Sequence, residues 1–186
     1  MTRIIAGAAR GARLSVPPAG TRPTSDRVRE SLFSALEAQA SVEGARVLDL
    51  YAGSGALGLE ALSRGAASAD LVEKSRAAAM IVRKNAALVA AMPGLALARV
   101  HERPVRTFLE SAHGPFDLVF SDPPYGLTDA EMTADLIALA PLLSPEAVVV
   151  IERGRRENAP DFAAAGLELW RERHYGDTTL WWGVPA

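Results

Sequence analysis

Val47-Leu48-Asp49-Leu50 is a short apolar run broken by one carboxylate, and it leads into Tyr51-Ala52-Gly53-Ser54-Gly55-Ala56-Leu57-Gly58. Consecutive apolar residues predict a strand buried on both faces, as in a parallel sheet. The glycines, spaced G-x-G-x-x-G, predict a tight turn, and Leu59-Glu60-Ala61-Leu62 continues with helical periodicity. Strand, glycine turn and helix aim backbone N–H groups and a helix N-terminus at a nucleotide-like ligand. Glycines also mark ordinary turns, so the spacing alone is weak. Asp49 adds weight, because a carboxylate inside a buried strand is costly unless something satisfies it.

The rest of the chain alternates around that unit. Strands are expected near Arg46–Leu50, Ala69–Val72, Ala96–His101, Phe116–Ser121 and Ala147–Glu152, with helices near Ala56–Arg64, Ser75–Val89, Pro104–Ser111 and Asp129–Leu143. Such β/α alternation predicts a parallel sheet covered on both faces. Leu167–His174 and Thr178–Gly183, joined by Tyr175-Gly176-Asp177, read as a hairpin, so the last strand should run antiparallel to its neighbours. The expectation is an α/β, Rossmann-like, mostly parallel seven-stranded sheet with an antiparallel C-terminal strand. Ahead of it, Arg3–Ile5 and Arg13–Val16 flank a glycine turn and predict a small hairpin. Thr24 or Ser25 should cap a helix running to about Gln39. Residues 1–22 are thus expected to form an N-terminal arm and residues 23–186 the main domain.

A chain of 186 residues suffices for one sizeable core and is short for two domains. It contains no cysteine, which excludes a disulfide framework and a thiol nucleophile and suggests an intracellular, cytoplasmic protein. No apolar run reaches the length of a membrane span, and no metal-ligand spacing appears. His101, His113 and His174 are isolated from one another and read as surface or strand-end residues. The net charge of −2 does not favour nucleic acid, but its distribution does. Up to Glu30 the chain carries Arg3, Arg10, Arg13, Arg22, Arg27 and Arg29 against only Asp26 and Glu30. A basic segment on an acidic body reads as a phosphate-binding surface, or else as a chain that simply favours arginine, its lysines being Lys74 and Lys84 alone.

Two further positions carry chemistry. Glu73 follows the second strand of the alternating unit, about 20 residues beyond the glycines, where an acid accepts both ribose hydroxyls of an adenosine. A first-turn acid favoured by the helix dipole would look similar. Lys74, beside it, could lay its stem on the adenine face, although an exposed lysine is the simpler reading. The fourth strand ends in Ser121-Asp122-Pro123-Pro124-Tyr125, in which two prolines stiffen a loop between a carboxylate and an aromatic ring. In open α/β sheets both loops converge beyond the carboxyl ends of the strands. Asp122 and the Pro123 carbonyl could accept hydrogen bonds from an exocyclic amine, and Tyr125 could stack on its base.

These residues resemble the class I methyltransferases that use S-adenosylmethionine (S-adenosyl-L-methionine). Within them the chain is similar to the RsmD-type bacterial 16S ribosomal RNA (guanine-N2)-methyltransferase family. The likeness runs through R-I-I-A-G at Arg3–Gly7, P-T-S-D-R-V-R-E-S-L-F at Pro23–Phe33, D-L-Y-A-G-S-G-A-L-G-L-E-A-L-S-R-G at Asp49–Gly65, D-P-P-Y at Asp122–Tyr125, and Tyr175-Gly176-Asp177-Thr178-Thr179. It implies that Asp49, Tyr51, Gly53, Ser54, Gly55, Glu73 and Lys74 border S-adenosylmethionine, and that Asp122, Pro123 and Tyr125 hold the guanine. Arg10, Arg13, Arg27 and Arg29 would grip 16S ribosomal RNA in the small subunit or an assembly intermediate, with the enzyme acting as a monomer. After the third strand no residue matches the family's adenine reader cleanly; Glu102 or the backbone of Arg103–Val105 would have to serve. Three rivals remain. A DNA adenine-N6 or protein glutamine-N5 methyltransferase shares both loops but carries a target-recognition region for which this chain has little room. A nicotinamide oxidoreductase gives D-P-P-Y no role, and a non-catalytic RNA-binding module leaves the cofactor crevice unexplained.

Overall fold

The computed structural model describes residues 2–17 and 25–186. Strands β1 (Thr2–Arg3) and β2 (Arg13–Leu14) pair antiparallel as the expected hairpin, shorter than its sequence pattern. Arg22 and Thr24 lie outside the described residues. Helix α1 (Asp26–Glu37) is capped by the Ser25 side chain, which accepts from the N–H of Val28. The alternating unit follows as β3 (Arg46–Leu50), α2 (Ala56–Ser63), β4 (Ser68–Glu73), α3 (Arg76–Ala90), β5 (Arg99–Glu102), α4 (Val105–Leu109), β6 (Phe116–Ser121), α5 (Asp129–Leu139) and β7 (Leu143–Gly154). The chain closes with β8 (Leu167–Tyr175) and β9 (Thr178–Pro185).

The main sheet has seven strands in the order β5-β4-β3-β6-β7-β9-β8. The strands β5, β4, β3, β6 and β7 pair in parallel, whereas β9 is antiparallel to both β7 and β8. The reversed strand is therefore not at the edge; β9 inserts between β7 and its own hairpin partner. β5 begins three residues later than expected because its one partner among the described residues, β4, offers pairing from Asp70 to Glu73. β7 begins earlier, since Leu143 pairs with Phe116 across a register shift that the exposed Pro145 and Glu146 conceal in sequence.

Alternate residues of the strands face two separate cores. Val47, Leu71, Leu118, Phe120, Val150 and Trp182 pack on one face beneath α1, α2 and α3. Leu48, Leu50, Val72, Val119, Val149 and Ile151 pack on the other against α4 and α5. The hairpin belongs to the first core, because Ile4, Ala9 and Leu14 are buried in it. It is not a free arm. Glu60 of α2 is fully buried and accepts from the N–H groups of Ile5 at 2.7 Å and Ala6 at 3.0 Å. Ser63 of α2 accepts from Ala9 N at 2.9 Å and, through its backbone oxygen, from Ala8 N at 2.8 Å. At Gly7 a Cβ would lie 1.8 Å from that same Ser63 carbonyl oxygen, so only glycine lets the hairpin approach the helix so closely.

Candidate active site

Each element of the glycine turn has a local cause. Gly55, at φ +77°, is the N-cap of α2, and Gly53 is also left-handed at φ +57°. Gly58 sits one turn into α2, where the helix still has unpaired N–H groups. The Asp49 carboxylate accepts that N–H at 2.9 Å. A Cβ on Gly58 would meet Leu71 at 2.3 Å and Asp49 at 3.2 Å, which explains the third glycine as a close-packing requirement. Burial pushes the Asp49 carboxyl up to about 7; the Gly58 bond opposes this and the Glu73 charge adds to it.

Glu73 closes the turn from the neighbouring strand. It accepts from Gly53 N at 3.1 Å and from Ser75 N at 2.7 Å, so it fixes both the glycine loop and the start of α3. Ser54 is held from another direction: its carbonyl accepts from the Asn85 side chain at 2.8 Å. The same Asn85 amide donates to Ser15 O and accepts from Ser15 N. Tyr51 also lines the cleft, and its backbone stands at φ +60°, a conformation costly for a non-glycine residue. The hydroxyl donates to Asp135 of α5, which also takes two bonds from the Arg106 guanidinium of α4. Burial and the Asp135 carboxylate push the Tyr51 hydroxyl well above its ordinary value, so it stays a donor.

The D-P-P-Y segment meets the glycine loop as the topology requires, since β6 lies beside β3. Asp122 N donates to Leu50 O at 3.4 Å. Asp49, Gly53, Ser54, Glu73, Lys74, Asp122, Pro123 and Tyr125 line one cleft of about 200 Å³, walled by Thr2 and Val16 of the hairpin region and by Glu152 and Gly154 at the end of β7. Burial raises the Asp122 carboxyl well above the ordinary carboxylate range, with the Glu152 and Asp49 charges adding to it. Tyr125 is 69% exposed, with its ring free to receive a partner.

The expected RNA-binding arginines divide. Arg10, Arg13 and Arg27 are exposed. Arg29 is fully buried and is corrected to a strut: it donates to Thr2 Oγ1 at 2.9 Å, Arg3 O at 2.7 Å and Asp26 at 2.8 Å, and stands 3.7 Å from Glu60. Glu102 pairs with Arg83 of α3 at 2.9 Å and does not line the cleft. His101 pairs with Asp70 at 2.7 Å, and none of the three histidines lines the cleft.

Sequence reading missed two residues that shape the site. Asn85 lies on the buried stripe formed by Ala78, Val82, Ala86 and Val89, where a polar residue stands out. Arg153 is buried at the end of an apolar strand and donates to Asp129 at 2.8 Å and Leu127 O at 3.4 Å. It therefore holds the segment that follows D-P-P-Y.

The family described as conserved hypothetical protein 95 matches residues 2–183. The chain is 43% identical over 175 residues to the ribosomal RNA small subunit methyltransferase D of Escherichia coli K12, covering 94% of this chain and 85% of that relative. The chain belongs to this family. The protein of the same name from Haemophilus influenzae is 37% identical over 153 residues, covering 81% of this chain and 77% of its own. A solved structure of a hypothetical protein from Thermus thermophilus superposes with a TM-score of 0.84 at 34% identity, over 100% of both chains. The family's fold is that of the class I methyltransferases, as the strand order and reversed β9 indicate.

Proposed function

We propose that this protein methylates the exocyclic N2 amine of a guanine in 16S ribosomal RNA, using S-adenosylmethionine. The observation that carries the reading is the convergence of Asp122-Pro123-Pro124-Tyr125 and the glycine loop on one cleft. The names of the Escherichia coli and Haemophilus influenzae relatives support a small-subunit ribosomal RNA substrate.

The donor set suits S-adenosylmethionine. Glu73 spends one lone pair of each oxygen on backbone N–H groups and keeps others for a ribose diol. Gly53 offers a Cβ-free approach, whereas Gly55, expected to border the cofactor, faces the core against Leu59, Leu71 and Val82 and does not line the cleft. The carboxylates of Asp49 and Glu73 favour a cation. When bound, S-adenosylmethionine supplies an electrophilic methyl group on a positively charged sulfur. The protein's own work is orientation. Asp122 and the Pro123 carbonyl accept the two N–H bonds of the amine and so turn its lone pair toward the donor side of the cleft. Tyr125 stacks on the extruded base, an interaction typically worth about 1–3 kcal/mol. Holding two reactants in line can remove on the order of 7–11 kcal/mol of the barrier. The amine sheds a proton once its nitrogen has formed the new bond, and the raised Asp122 carboxylate is suited to take it. The enzyme acts as a monomer on the small subunit or its assembly intermediate, in the cytoplasm.

The test is mass mapping of modified guanines in small-subunit RNA incubated with the protein and S-adenosylmethionine. Asp122→Ala should abolish transfer while calorimetric binding of S-adenosylmethionine persists. Absence of methylguanine with the wild-type protein would refute the reading.

A further inference from the structure

The turn after β7 is a built structure at the edge of the cleft. Gly154 N donates to Glu157 Oε2 at 2.6 Å, and Glu157 N returns a bond to Gly154 O at 2.9 Å. Arg155 N donates to Asp177 O at 2.8 Å, which ties the turn to the β8–β9 hairpin. Asn158 donates to Asp129 at 2.7 Å, the same carboxylate that Arg153 holds. The turn is thus fastened both to the start of α5 just behind D-P-P-Y and to the last hairpin.

That frame presents two arginines outward. Arg155 and Arg156 are exposed, and with Tyr125 they line a second hollow that adjoins the cleft through Gly154 and Glu157. Among the described residues the Arg155 guanidinium makes one long contact, 3.4 Å to Gly176 O, and neither it nor Arg156 forms an ion pair. The hairpin region, through Val16 and Pro17, forms the opposite rim of the cleft. A base stacked on Tyr125 brings its flanking phosphates to the two rims. Arg10, Arg13 and Arg27 do not line the cleft, whereas Arg155 and Arg156 border the hollow beside it.

We propose that Arg155 and Arg156 form a second, preorganised RNA-binding rim that clamps the phosphates beside the target nucleotide. This rests on the proposed methylation of RNA. Because the turn is fixed by its own hydrogen bonds, little ordering is needed when a phosphate arrives. Each phosphate contact also releases counterions, which makes its loss readable in salt dependence.

The experiment uses full-length protein and small subunits from cells lacking it. Binding is measured against salt concentration, alongside steady-state methyl transfer. For Arg155→Ala/Arg156→Ala the slope of log affinity against log salt should become shallower by about 1.4–1.8, the value for two phosphate contacts. KM for the subunit should rise at least about tenfold, while kcat at saturation and S-adenosylmethionine affinity stay as in wild type. Lys84→Ala, an exposed change on α3, should leave the slope untouched. A wild-type slope and KM in the double variant would overturn the rim. Failure of the wild-type protein to methylate the subunit would instead refute the function on which it rests.

Discussion

Replacing Glu60 by glutamine changes one atom and should cost the molecule much of its stability. The carboxylate is fully buried and every contact to it comes from a donor: Ile5 N and Arg29 on Oε2, Ala6 N and Arg64 Nε on Oε1. A glutamine must turn its NH2 toward one of these pairs. At least one hairpin N–H then faces another donor in a fully buried site, a penalty of about 1–3 kcal/mol. The charge-assisted bond from Arg64, 2.7 Å long, is lost or weakened, worth about 1.5–3 kcal/mol more. Arg64 keeps Glu37 and Arg29 keeps Asp26, which limits the damage. The expected loss is about 3–5 kcal/mol, or on the order of 10 °C in Tm for a chain of this size. Urea unfolding of Glu60→Gln gives the free energy, and amide exchange locates it, with Ile5 and Ala6 losing protection first. A loss under about 1 kcal/mol, or unchanged protection at those amides, would refute the view that this carboxylate pins the hairpin.

Two further outcomes follow from the cleft. Asp49 is raised from 3.8 to about 7, so between those values the folded chain keeps a proton that the unfolded chain gives up, and stability falls as pH rises through that window. Asp49→Asn removes this dependence; without cofactor, its stability relative to wild type should climb by up to about 4 kcal/mol from acid to neutral pH, and parallel urea-melt profiles would contradict it. Asp135→Ala frees the Tyr51 ring, and restoring the left-handed Tyr51 backbone should then cost about 1–2 kcal/mol at binding. S-adenosylmethionine affinity by calorimetry should weaken roughly tenfold, and an unchanged Kd would dismiss the anchor.

The local signals in the sequence were sound. The bounds of β3 and β6, the glycine turn, the Ser25 cap and the last hairpin all come from patterns within a few residues of each other. So does the convergence of two loops, which follows once adjacent parallel strands are granted. What the sequence concealed depends on partners far along the chain. Arg29 looks like its exposed neighbour Arg27, and only the distant Thr2, Arg3 and Glu60 make it a strut. Glu60 does not stand out as a buried position, because its neighbours Leu59, Ala61, Leu62 and Ser63 on every side of the helix are buried with it. Arg153 and Asn85 were visible only as polar residues on apolar stripes. The position of β9 inside the sheet was equally hidden, since a hairpin can pair outward with either strand.

The docked hairpin also sets an order of events during synthesis. Ile5, Ala6 and Ala9 find their acceptors 54 or 55 residues later in α2, and Ser15 finds Asn85 70 residues later in α3. The hairpin therefore has nowhere to settle until the chain as far as α3 has been made. It closes over the glycine loop only after α2 and α3 exist, so the hairpin's docking is a late report that the cofactor face of the sheet has been assembled.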